Sequence, residues 1–498
     1  MVSTTSPGGA PLPPHATVLI AGGGFSGLGA AIKLMQDGTT DIVVLEKASD
    51  VGGTWQANSY PGCACDVPSV LYSYSFAQNP DWSSSFSPQP EIYAYLQRVA
   101  RQYGVMGKVR LGTKLHDAAW DDTTKCWRFT TSAGSMTADI FINATGPLSE
   151  VAIPEIPGTE DFTGEMFHSA QWNHDYDLRG KRVAVIGTGA SAIQFVPEIQ
   201  PDVESMVLFQ RTAPWILPRR DRTFSSLEKT LFKRAPIFQR LARYTTYWYR
   251  ESYVIGFTQV RPALRIAEAL GRWNIRRQVR DKKLREKLTP DFQLGCKRVL
   301  MSNTYYKAID ADNSDVNTSG IMRITKDSVI AGDGTEHPVD CIIWGTGFHV
   351  SDTAIAEHVR GRDGQTLADA WHGSPEAYLG ITVNGFPNYF HMVGPNTGLG
   401  HSSIVFIIEA QLRYILDAIK QLRDNNLATL EPLPEAQDEW IDLVQKKSQG
   451  TVWLEGGCNS WYIDDKGRNS TLWPGYTFTY RKLTAKADPE KHLAEARV

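Results

Sequence analysis

Thr17-Val18-Leu19-Ile20-Ala21, followed by Gly22-Gly23-Gly24-Phe25-Ser26-Gly27, is the stretch that decides the fold. A short apolar, β-branched run reads as a buried strand. The glycines after it satisfy G-x-G-x-x-G at Gly22, Gly24 and Gly27. The first serves a tight turn, the second close approach of the backbone to a pyrophosphate, and the third helix–strand packing. An apolar-periodic helix continues through Leu34, and its N-terminus carries partial positive charge toward the phosphates. The next strand, Asp41-Ile42-Val43-Val44-Leu45, ends in Glu46, nineteen residues after Gly27. A carboxylate there accepts from ribose hydroxyls and repels a 2′-phosphate. Strand, turn, helix, strand and acid together define a dinucleotide-binding unit of an α/β fold.

The pattern recurs about 165 residues later. Arg182-Val183-Ala184-Val185-Ile186 is a second buried strand, and Gly187-Thr188-Gly189-Ala190-Ser191-Ala192 follows it. Ala192 stands at the third glycine position, which the fingerprint permits. Ser205–Phe209 is the next strand, and it runs into Gln210-Arg211-Thr212. The charge at this strand end is reversed, because Arg211 stands where Glu46 stands in the first unit. A guanidinium matches a phosphate fork and adds roughly 1.5–3 kcal/mol per charge-assisted bond. This unit therefore reads as an NADPH site rather than an NADH site, with Lys297 adding a second positive charge. Two dinucleotide folds in one chain imply an oxidoreductase that moves electrons between two nucleotides.

The bulk composition agrees with a multidomain globular enzyme. A net charge of −3 over 498 residues gives no reason to expect nucleic acid. Six scattered cysteines show neither a disulfide framework nor a metal site, and Cys63-x-Cys65 reads as two small packed residues in a tight loop. No stretch approaches the ~20 apolar residues of a membrane span. The first sixteen residues lack a signal-type core and are expected to fray. These features point to a soluble, cytoplasmic protein that needs no metal. They set no oligomeric state.

Three further motifs carry a family resemblance over residues 16 to 480. Phe162-Thr163-Gly164-Glu165-Met166-Phe167-His168-Ser169-Ala170-Gln171-Trp172-Asn173 resembles the fingerprint of type I Baeyer-Villiger monooxygenases, which usually closes with Pro or Asp. Gly52-Gly53-Thr54-Trp55, continuing to Ser59-Tyr60-Pro61-Gly62 and Asp66, is similar to a second signature, in which arginine is more usual at Ser59. Asn143-Ala144-Thr145-Gly146 and Trp344-Gly345-Thr346-Gly347 look like that group's strand-to-glycine crossings between domains.

The resemblance implies FAD at the first unit, with Thr54, Trp55, Asp66, Tyr72 and Leu115 among its contacts. It implies NADPH at the second, held by Gly187, Thr188, Gly189, Ser191, Ala192, Arg211, Thr212 and Lys297. The implied reaction inserts oxygen from O2 beside a ketone carbonyl, giving an ester or lactone, with sulfoxidation of thioethers as a side activity. Gly295-Cys296-Lys297-Arg298 is similar to the segment that carries the family's active-site arginine, and Tyr305-Tyr306 follows as the family expects. An arginine keeps its proton at working pH, so it suits the stabilisation of negative charge on oxygen. Asp66 is its implied partner. Trp461, in Asn459-Ser460-Trp461, resembles the tryptophan of a loop that closes over the nicotinamide nucleotide, although Tyr462-Ile463-Asp464-Asp465 departs from the usual continuation. The His168 motif reads as a linker coupling the two nucleotide domains. Its His168 and Trp172, four apart, would share a face if helical.

The expected architecture is an FAD domain in two segments, 14–147 and 340–498. An NADPH domain, 151–216 plus 296–338, is inserted into it. Residues 220–292 interrupt that domain as a helical subdomain lining the cleft, whose Arg240, Arg243, Tyr247 and Arg250 at helical spacing read as a solvated basic face, with a helix that touches membrane or nucleic acid as the alternative. The main alternative is an N- or S-oxidising flavin monooxygenase. A disulfide reductase needs a redox cysteine pair beside the flavin, and the spacing of Cys63 and Cys65 does not suit one. A non-catalytic flavin redox sensor is a third alternative.

Overall fold

Two sheets carry the two glycine-rich units in the computed structural model, which describes residues 11–350 and 354–497. Residues 1–10 of the segment expected to fray lie outside the described residues. In the first sheet, Val109–Arg110, Ile42–Leu45, His15–Ala21 and Gly134–Asn143 lie parallel in that order. Cys126–Thr131 and Leu115–Asp121 extend it in antiparallel fashion. The central strand is buried on both faces, with Val18, Leu19 and Ile20 inaccessible to solvent. This explains its unbroken apolar run. The helices Phe25–Gln36 and Ile404–Asp424 pack against each other beside it.

The second sheet is wholly parallel. Its order is Ser314–Asn317, Ser205–Phe209, Arg182–Ile186, Cys341–Trp344, Glu165–His168. The strand Cys341–Trp344 thus belongs to the second nucleotide sheet, pairing Ile342 with both Ala184 and Met166. This corrects the expected boundary at 340, because the chain leaves this sheet after Trp344. An apolar strand followed by a glycine turn looks the same in either sheet, and its pairing partners lie more than 150 residues away.

Residues 220–292 are helical, as expected. The main elements are Ser226–Arg234, Pro236–Glu251, Tyr253–Thr258, Leu264–Gln278 and Lys282–Leu288. The face read as basic and solvated is largely an inner face. Arg243 donates to the carbonyls of Val70, Leu71 and Ser73, Arg250 to that of Asp66, and Tyr247 is half-buried, leaving Arg240 exposed. The cysteine reading is also corrected at one pair, since Cys296 and Cys458 form a disulfide. Their separation of 162 residues hides the pair from any spacing argument. No helix among the described residues is long and apolar enough to cross a membrane. No group of three or more His, Cys, Asp or Glu among them could hold a metal.

Candidate functional site

The two glycine turns are built alike. At Gly22, φ is +110°, and an added Cβ would lie 2.4 Å from the Ala144 carbonyl oxygen; at Gly187, φ is +106° and the Cβ would meet the Gly345 oxygen at 2.4 Å. Each turn is therefore pressed against its own strand-to-glycine crossing. The second glycines are far less crowded. A Cβ on Gly24 would make ordinary contact with Gly53 alone, and one on Gly189 would find nothing nearer than 3.9 Å. That opening, bordered by a helix N-terminus, is what a pyrophosphate needs.

Glu46 is buried at the end of its strand. Its two oxygens accept from the backbone N–H of Gly23 (2.7 Å) and Ala48 (2.8 Å). These bonds hold the carboxylate beside the turn with lone pairs left for ribose hydroxyls. The Gly52-Gly53 turn packs directly on Gly24 and starts the short helix Thr54–Ala57. Trp55 donates its indole N–H to the Tyr72 hydroxyl at 3.1 Å. Thr113 N–H donates to the Glu46 carbonyl at 2.9 Å, which brings the start of the Leu115–Asp121 strand to the same end of the sheet.

At the second turn, Thr188 Oγ1 donates to the Thr212 carbonyl at 3.2 Å. Ser191 Oγ accepts from Ser169 Oγ at 3.1 Å, and Ala192 opens the helix Ala192–Ile199. Arg211 is exposed and Lys297 half-buried. Burial lowers the Lys297 ammonium from its ordinary value, and the nearby Arg211 charge lowers it further. The two cations are thus near enough to act on each other.

Asp66 and Arg298, 232 residues apart in sequence, meet between the two units. Arg298 Nε donates to Asp66 Oδ2 at 2.6 Å and Nη2 to Oδ1 at 2.7 Å, while Nη1 donates to the Leu399 carbonyl at 3.2 Å. Their side chains remain about one-third exposed, at 32% and 28%. Burial raises the Asp66 carboxyl, but the charge and hydrogen bonds of Arg298, with the Arg250 charge, together outweigh this and hold it below its ordinary value. The Asp66 charge in turn raises the guanidinium. The pair is therefore fully ionised at working pH. Tyr462 is buried beside Arg298, and burial pushes its hydroxyl up to about 12. Trp461, the expected loop residue, faces solvent at 48% exposure and packs edge-on against Tyr462 at 4.5 Å. The disulfide from Cys296 to Cys458 ties the Arg298 segment to this loop.

The linker motif is not a helical turn. His168 closes the strand Glu165–His168, and Ser169–Gln171 is a 3-10 turn, so His168 and Trp172 do not share a helical face. Trp172 instead packs on Phe167 at 5.0 Å and Phe195 at 5.3 Å. His168 Nδ1 accepts from Ala170 N–H at 3.1 Å, and its ring packs on Phe348, just past the second crossing. Burial lowers its imidazole to about 4. A neutral, buried ring wedged between strand and crossing fits a coupling role. Ser59, where the family more often has arginine, bonds His174 at 2.8 Å and so reaches the end of this motif.

Several site residues escaped the sequence reading. Gln194, on the helix of the second unit, accepts from the Tyr60 hydroxyl at 2.9 Å and donates to the Ala64 carbonyl at 3.0 Å. It clamps the loop that carries Asp66. Beside Arg250, the buried Glu251 accepts from Thr477 N–H and Oγ1 at 2.9 and 2.7 Å and contacts His401 Nε2 at 3.3 Å. Burial lowers the His401 imidazole, with the Arg250 and Arg298 charges acting in the same direction against the raising effect of Glu251. Gln194 and Glu251 sit on helices and His401 lies just before one, and none of them carries a sequence signal for such contacts. Burial also raises the Cys63 thiol to about 11 and raises that of Cys65, so neither resembles a redox nucleophile.

The chain is similar to known proteins along nearly its whole length. The family described as flavin-binding monooxygenase-like matches residues 15–254. A Baeyer-Villiger monooxygenase of Streptomyces coelicolor is 49% identical over 485 residues, covering 97% of this chain and 93% of the relative. The crystal structure of cyclohexanone monooxygenase from Rhodococcus sp. Phi1 bound to NADP+ superposes with a TM-score of 0.87 at 26% identity, covering 98% of this chain and 100% of that one. The OTEMO complex with FAD and NADP superposes with a TM-score of 0.85 at 28% identity, covering 94% and 97%.

Proposed function

The chain belongs to the Baeyer-Villiger monooxygenases, and from that premise we propose that Arg298, oriented by Asp66, is the group that stabilises negative charge during oxygen insertion beside a ketone carbonyl. Bound FAD, reduced by NADPH, supplies the activation of O2. Gly22, Gly24, Gly27 and Glu46 hold the FAD, with Thr54, Trp55, Tyr72 and Leu115 along it. Gly187 to Ala192 and Thr212 hold the NADPH backbone, and Arg211 with Lys297 binds its 2′-phosphate. The relatives solved with FAD and NADP support both assignments.

One observation carries the catalytic reading. Three of the five guanidinium N–H groups of Arg298 are committed, two to Asp66 and one to Leu399, which leaves two for the neighbouring Tyr462 or a substrate oxygen. A cation fixed on three bonds needs no reorganisation when charge develops on the substrate oxygen. It also keeps its own protons, so it stabilises the anion without quenching it.

The test is Arg298→Ala. Ester formation is expected to fall ~10²–10³-fold, with flavin retained and NADPH still oxidised. Substantial ester from that variant would overturn the role. Gas chromatography of products from cyclic, linear and aryl ketones and one thioether defines the substrate class. Sulfoxide with no ester from any ketone would move the reading to a sulfur-oxidising enzyme.

A further inference from the structure

The helix Pro236–Glu251 is inside out. An ordinary amphipathic surface helix turns its apolar stripe to the core. Here Gln239, Arg243, Arg250 and Glu251 face inward, each hydrogen-bonded to protein, as by Gln239 Nε2 to the Asn79 carbonyl at 2.6 Å. The opposite face presents Ile237, Phe238, Leu241, Tyr244 and Trp248, all between 45% and 64% exposed. The spacing 237, 241, 244, 248 places a continuous stripe on one side of the helix. The helix Ser226–Arg234 packs alongside and adds Leu227, the most exposed of these at 79% together with Ile266 of Leu264–Gln278. Of the twenty-one large apolar side chains exposed among the described residues, thirteen fall between Leu227 and Trp273.

The same subdomain concentrates positive charge. Residues 220–292 hold eighteen Lys and Arg against seven Asp and Glu, a net +11 in a chain whose total is −3. Lys233, Arg234 and Arg240 lie on the same two helices as the apolar stripe and are exposed, with Lys229 half-buried beside them.

We propose that this face is a docking surface for an anionic lipid bilayer. Both halves of the observation are needed. Basic side chains at a stripe's margins are attracted to acidic headgroups, and bulky aliphatic and aromatic side chains gain by entering the boundary between headgroups and acyl chains. Tryptophan and tyrosine favour that boundary because one end of each is apolar and the other polar. A second copy of the chain would set +11 against +11. Nucleic acid would satisfy the charge and leave Ile237, Phe238 and Leu241 in water. A bilayer satisfies both, and the helix would lie flat on it, its inner face still bonded to the Asp66 carbonyl through Arg250.

Flotation of the full-length FAD-loaded enzyme with vesicles tests this. The vesicles are phosphatidylcholine alone, or phosphatidylcholine with about 30% phosphatidylglycerol. The enzyme is expected to float with the anionic vesicles, and at least about tenfold less with the neutral ones or at ~0.5 M NaCl. The Phe238→Ser/Leu241→Ser double variant is expected to lose about tenfold or more of its binding while keeping its flavin and ketone turnover. Arg240→Glu/Lys233→Glu, which leaves the apolar stripe intact, is expected to lose binding on the anionic vesicles alone. Absence of flotation on anionic vesicles overturns the proposal. So does flotation unaffected by both variants, a dimer that the Phe238→Ser/Leu241→Ser change dissociates without any vesicle binding, or tighter binding to an oligonucleotide than to vesicles.

Discussion

At Gly27 an added Cβ would lie 1.8 Å from the Gly22 carbonyl oxygen, whereas the second nucleotide unit already carries a Cβ at the matching step, on the fully buried Ala192. The helix explains the contrast. It starts at Phe25 in the first unit, so Gly27 lies in its first turn and presses on the strand; in the second unit it starts only at Ala192. The strand ends differ as well. Glu46 is buried and caged by two backbone N–H groups, while Arg211 stands exposed beside Lys297. One backbone plan thus serves two nucleotides. The tighter unit suits a resident cofactor held along its length, and the looser, cationic one a nucleotide recognised at its phosphate.

Breaking the tight unit should have the largest effect. Gly27→Ala forces backbone to move, which places it among the rare substitutions that cost more than ~4 kcal/mol. The purified variant is expected to lack visible flavin absorbance, and a protein with full flavin content would show that the close packing is not required. Breaking the cationic end comes next. Arg211→Ala removes about 1.5–3 kcal/mol of charge-assisted binding, so KM for NADPH should rise roughly tenfold to a hundredfold with little change for NADH. Equal rises for both nucleotides would remove the phosphate assignment.

As His391 stands opposite Asn143 in the first sheet, His168 stands opposite Trp344 in the second. Its imidazole is lowered to about 4 in the folded state, below its ordinary ~6.5. The unfolded chain therefore takes up the proton first, and this contribution to stability falls as pH drops from ~6.5 toward 4. At pH 5 the loss is about 2 kcal/mol. Urea unfolding should show His168→Gln losing less stability than the parent between pH 7 and 5, and parallel pH profiles would exclude a neutral buried ring. The smallest effect is expected at the position where the units differ. Ala192→Gly should cost about 0.5–1 kcal/mol by thermal unfolding and leave NADPH binding nearly unchanged. A cost as large as that of Gly27→Ala would erase the contrast.

Both cradles were legible because each is local. Strand, glycine turn and helix follow within a dozen residues, and the periodicity is that of the backbone itself. The Asp66–Arg298 pair was reached through family resemblance rather than spacing, since nothing in either segment alone requires the other. The strand Cys341–Trp344 was read as a strand but assigned to the wrong sheet. Arg240, Arg243, Tyr247 and Arg250 were read as one solvated basic face, but Arg243 and Arg250 turn inward.

What the chain by itself determined is therefore the set of elements and the chemistry at their ends: two phosphate turns, an acid at one strand end and a cation at the other. What only tertiary structure decided is which distant partners meet. Gln194 gripping the Asp66 loop, Cys296 joined to Cys458, and a helix showing its apolar face to solvent all depend on contacts made by segments far apart in the chain. Periodicity marks two faces on a helix, but the surroundings select the one that is buried. Here waiting carbonyls of Val70, Leu71 and Ser73 gave the polar face the better partners.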